Sequence, residues 1–96
     1  MSRAFVNEDA GGEPAPSQRY PLPPRDDPAY DRAAARALLR GADGGDKLGA
    51  EEATGYRWGD PSLEPYIRQL REEARESGDD RMEELAERYL RNLRRA

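Results

Sequence analysis

The chain has 96 residues, enough for one small domain, and its net charge of −4 comes from 16 basic and 20 acidic side chains. Apolar residues make up 35% of it and charged residues 38%, so only part of the chain has the composition to fold around a core. It has no cysteine and no histidine, which excludes disulfides, thiolate chemistry, and the commonest metal ligand and neutral-pH base.

Residues 1–26 read as a flexible or extended arm. Five of the eight prolines fall there, and repeated proline blocks both helices and sheet ladders. Within Arg19-Tyr20-Pro21-Leu22-Pro23-Pro24-Arg25, Pro21 and Pro24 satisfy the PxxP spacing of a polyproline ligand. The same segment also reads as a strap that lays Tyr20 and Leu22 on a folded body.

Residues 27–96 read as an all-α domain of three to four helices, over about 28–40, 47–54, 63–77 and 80–95. Asp27 and Pro28 suit a helix start. Tyr30, Ala33, Ala34, Ala37 and Leu38 then form one apolar stripe, with Gly41 as the expected stop. A second helix is expected over 47–54, with Asp46 as cap and Gly55 as stop. Trp58, the only tryptophan, is expected to plug the core with Tyr56 beside it.

Ser62 is the expected cap of the third helix, whose stripe is Leu63, Tyr66, Ile67, Leu70 and Ala74. Gly78 ends it. The last helix begins at Asp79 or Asp80 and carries Met82, Leu85, Ala86, Tyr89, Leu90 and Leu93. The short turn between these two helices makes them an antiparallel hairpin. Their stripes need a cover, supplied by the first helix, Trp58 or a second copy.

Asp79 and Asp80, with Glu76, Glu83 and Glu84 around them, form an acidic hairpin tip that reads chiefly as helix capping. Residues 88–96 carry Arg88, Arg91, Arg94 and Arg95 and no acid. That run suits a phosphate backbone, an acidic protein groove, or complementation of the helix dipole. Asp43-Gly44-Gly45-Asp46-Lys47 lacks the spacing and the preceding strand of a phosphate loop. No catalytic, metal or cofactor site is expected.

The opening Met1-Ser2-Arg3-Ala4-Phe5-Val6-Asn7-Glu8-Asp9 resembles the start of Gre-factor-like bacterial transcription elongation proteins, which usually have Lys where this chain has Asn7. The resemblance implies a role at RNA polymerase, whose secondary channel that family enters with a long, acidic-tipped helical hairpin. The likeness covers nine residues, and no functional residue carries over. The family's hairpin is amino-terminal and is followed by a sheet domain, whereas the hairpin here is carboxy-terminal.

The expected function is a non-enzymatic protein-interaction module, by a protein partner or self-association, using Tyr20, Leu22, Trp58, Arg88, Arg91, Arg94 and Arg95. The alternative is a transcription- or nucleic-acid-associated factor. The chain lacks the apolar run of a signal peptide and any stretch long enough to span a bilayer, so the expected location is the cytoplasm without membrane association.

Overall fold

A computed structural model describes residues 19–94. Most of the proposed arm, residues 1–18, therefore lies outside the described residues, as does Arg95. The described part is all-α. Its order is α1 (Tyr30–Asp43), α2 (Lys47–Thr54), a 3-10 turn (Pro61–Leu63), α3 (Glu64–Ser77) and α4 (Asp80–Arg91). No helix among the described residues is long and apolar enough to cross a membrane.

Local chemistry sets most of the helix ends. Asp46 caps α2 by accepting the Gly49 N–H at 3.2 Å, and Asp79 caps α4 by accepting the Met82 N–H at 3.1 Å. Gly55 and Gly78 close α2 and α3 in the left-handed conformation.

Four boundaries differ from the sequence reading. The first helix starts at Tyr30, because the Asp27 carboxylate accepts the Ala29 N–H at 2.8 Å and holds Pro28 in a turn. Gly41 does not end that helix, which runs to Asp43. A side chain at Gly41 would come within 2.6 Å of the Ala50 Cβ, so the missing Cβ serves close packing of α2 on α1. The third helix is entered through Asp60 rather than Ser62: the Asp60 carboxylate takes the Ser62 N–H at 2.9 Å, and Pro61 opens the 3-10 turn.

The fourth difference is at the carboxy-terminal end. The last helix stops at Arg91, not near residue 95. The Asn92 side chain accepts the Trp58 indole N–H at 3.1 Å, and the Arg94 N–H is taken by the Gly59 carbonyl at 2.8 Å. The chain bends back onto the loop before α3, and Arg94 Nε reaches the Trp58 carbonyl at 3.3 Å.

α3 and α4 form the expected hairpin, and α1 covers it. Leu63, Ile67, Leu70 and Ala74 of the third stripe are buried, as are Leu85, Ala86 and Tyr89 of the fourth. Tyr66, Met82, Leu90 and Leu93 are half-buried at the margin. Ion pairs tie α1 to both helices, Arg32 to Glu73 at 2.7 Å and Asp43 to Arg81 at 2.8 Å.

α1 is buried more widely than its predicted stripe. Ala35 and Leu39 are fully covered beside Ala34, Ala37 and Leu38, because α2 packs on one flank and the hairpin on another. Burying a leucine such as Leu39 contributes about 2 kcal/mol.

Trp58 occupies the core, edge-on to Tyr89 with ring centroids 4.9 Å apart. The need to cover the hairpin stripes is thus met within one chain. Leu48 is the only large hydrophobe left exposed among the described residues.

Candidate functional site

The strap residues meet the domain at the start of α2. The Asp46 carboxylate accepts the Tyr20 hydroxyl at 2.9 Å and an Arg19 Nη at 3.0 Å, while also capping α2. A side chain at Gly49 would collide with this carboxylate and with Arg19, so glycine makes room for the cluster. Asp46 is held more acidic than an ordinary carboxyl, first by the Tyr20 hydroxyl and then by Arg19 and the Gly49 N–H. Tyr20 is pushed up by burial and by the neighbouring Asp46 charge. Leu22 and Pro23 are half-buried, while Pro21 and Pro24 are exposed.

Between this strap and α1 lies a cavity of about 310 Å³ lined by Arg19, Tyr20, Pro21, Ala33, Arg36, Ala37 and Arg40. The i, i+4 spacing puts Ala33 and Ala37 on one face of α1, with Arg36 and Arg40 beside it. The alanines, the Tyr20 ring and Pro21 supply apolar contact, and the arginines supply charge. Arg36 stands 3.9 Å from the Glu73 carboxylate, which already binds Arg32 at 2.7 Å. Arg40 is exposed and forms no ion pair among the described residues.

The other sequence candidates are dispersed. Trp58 is 8% exposed, and its ring is capped by the Lys47 ammonium 4.8 Å from the centroid. Its backbone N–H is bound by Glu51 at 2.8 Å, so it is chiefly a core residue. Arg88 pairs with Glu84 at 3.3 Å, Arg91 is exposed at the end of α4, and Arg94 is folded back on Trp58. The basic run therefore does not form one helical face.

The acidic tip is similarly committed: Asp79 caps α4, and Glu83 binds Arg75 at 3.0 Å. Among the described residues, no three carboxylates are grouped to hold a metal ion.

Sequence reasoning did not single out Asp46 as an anchor, nor Arg36 and Arg40 as a rim. The one available signal was the pairing of arginine with alanine along α1. Its meaning depends on where the strap lands, 26 residues away from Asp46 in the chain. No protein-family model, curated protein or solved structure matches this chain.

Proposed function

We propose that this chain is a small, non-enzymatic, cytoplasmic interaction module that captures an acidic and partly apolar segment of a protein partner between the strap and α1. The composition of that cavity carries the reading. Its apolar lining would cover a partner's aliphatic or aromatic side chain, and Arg36 and Arg40 would take an adjacent carboxylate. Exposed ion pairs are individually weak, so the apolar contact supplies affinity while the arginines select acidic sequences.

The test is capture of binding proteins by the full chain from native lysate, compared with R36E/R40E. Loss of at least about tenfold of the same captured protein is expected from a chain that stays folded, its melting temperature lowered only by the loss of the Arg36–Glu73 pair. Equal capture by both chains overturns the proposal.

A second reading, a transcription-associated factor, is supported by the Gre-like residues 1–9, which lie outside the described residues. The hairpin gives it less support. Its helices have 14 and 12 residues, about 20 Å each at 1.5 Å per residue, and the Asp79 carboxylate is bound to its own helix. This reading expects co-purification with RNA polymerase that is lost when residues 1–9 are deleted.

A further inference from the structure

The cavity between the strap and α1 is one-sided in charge. Arg19, Arg36 and Arg40 line it, and no carboxylate does. Arg19 is matched by Asp46 at 3.0 Å. On the hairpin side, Arg36 and Arg40 also border Glu73 and Asp79. Glu73 is bound by Arg32 at 2.7 Å, which leaves Arg36 at 3.9 Å, and the Asp79 carboxylate caps α4. Arg32, Arg36 and Arg40 thus meet two carboxylates that are already engaged. Arg36 and Arg40 stand exposed beside Ala33, Ala37 and Tyr20, which are buried or half-buried.

The chain itself carries a segment of matching chemistry. Phe5-Val6 sets an aromatic and an aliphatic side chain just ahead of Glu8-Asp9. This segment lies outside the described residues, but its attachment point does not. Nine residues separate Asp9 from Arg19, and Arg19 lines the cavity. That tether reaches at most about 35 Å. Gly11-Gly12 stands within it, and glycine accepts either sign of φ, so the chain can double back. One apolar contact and two exposed ion pairs make a weak free ligand. A short tether, however, holds its end at an effective concentration on the order of millimolar, so even millimolar affinity leaves the segment about half bound.

We propose that Phe5–Asp9 occupies the strap cavity of its own chain. The Phe5 ring covers the alanines and the Tyr20 ring, and Glu8 and Asp9 meet Arg36 and Arg40. This rests on the reading of the cavity as a site for acidic, partly apolar segments, and it adds regulation to that reading: a partner is captured only by displacing the chain's own ligand. A second copy offers a poorer occupant. Its exposed Leu48 has Glu52 one turn on, but Arg57 borders the same surface and no tether raises its concentration.

The test exploits the absence of cysteine: Ser2→Cys carries a single nitroxide label on the full chain. Paramagnetic broadening of the Ala33 and Ala37 methyl signals is expected. F5S/E8Q/D9N keeps the tether length and should lose most of that broadening, as should R36E/R40E. Combining E8R/D9R with R36E/R40E should restore it, which a mere disturbance of folding would not. Absence of broadening in the parent chain, or equal broadening in F5S/E8Q/D9N, overturns the proposal. Broadening passed from a spin-labelled chain to an isotope-labelled one in a mixture assigns the cavity to a second copy and overturns it as well. Partner capture that depends on Arg36 and Arg40 without this broadening strikes the inference alone. Broadening with capture indifferent to R36E/R40E strikes only the reading of the cavity as a partner site.

Discussion

Two segments of this molecule are fastened to the same helical core by different physics. The carboxy-terminal turn, Asn92 to Arg94, is held on Trp58 and Gly59 by an indole hydrogen bond and a backbone hydrogen bond beside buried aromatic rings. The strap, Arg19 to Pro24, is held on Asp46 by a hydroxyl and a guanidinium at the edge of solvent. The first attachment depends on shape and barely on charge. The second combines packing of the Tyr20 ring on the core with bonds to one carboxylate, and salt and acid weaken the charged part. The more weakly held segment is also the one that borders the proposed partner cavity.

The comparison breaks most visibly at Trp58. Trp58→Ala removes the ring packed on Tyr89 and leaves the Asn92 side chain without its donor, so a loss of about 4 kcal/mol is expected in urea unfolding. Gly59→Ala comes next. Gly59 has φ +87°, and a Cβ there would meet the Asn92 carbonyl, which is backbone and cannot swing aside. A loss of about 2–3 kcal/mol is expected, with faster hydrogen exchange at the Arg94 amide. If Gly59→Ala melts like the parent chain, the carboxy-terminal turn is not fastened as described.

How much was legible beforehand follows the same division. The apolar periods of the first, third and last helices, the Asp46 cap, and the Gly55 and Gly78 stops depend on neighbours within a few residues, and the sequence displays them directly. The end of α4 does not. No glycine or proline follows Arg91, and the helix stops because Gly59, 35 positions earlier in the chain, takes the Arg94 N–H. Ala35 and Leu39 lie off the predicted stripe because two-sided burial of α1 depends on where α2 packs. The strap cavity is assembled from residues far apart in sequence, so its Arg36 and Arg40 looked like ordinary solvated charge.

An intermediate case sharpens the contrast. Tyr56 donates to Asp31 at 2.6 Å, and this hydrogen bond, with burial, raises its pKa from 10.0 to about 12. A phenol whose folded pKa is raised contributes stability that is complete below pH 10 and lost as pH rises through 12. Asp31→Asn should return one tyrosine toward its ordinary titration in phenolate absorbance. It should cost about 1 kcal/mol at neutral pH, the worth of one part-buried hydrogen bond. An unmoved titration would mean that Asp31 does not hold this phenol.

The smallest expected effect is at Asp46, and it bears most directly on function. Asp46→Asn keeps a side-chain oxygen able to cap α2, since asparagine caps as well as aspartate, but removes the charge that holds Arg19. The melting temperature should therefore hardly change, while hydrogen exchange and Tyr20 resonances report a released strap. Acid should have the same local effect. Asp46 has a lowered pKa, so its contribution is present above the ordinary carboxyl pKa of 3.8 and is lost as pH falls through the lower folded value. At neutral pH, added salt should loosen the strap and leave the Trp58 environment unchanged, which near-ultraviolet circular dichroism would show. Should the strap stay fixed in Asp46→Asn and in high salt, its attachment rests on Tyr20, Leu22 and Pro23 packing. The cavity beside it would then be a rigid groove rather than one whose wall a partner can displace.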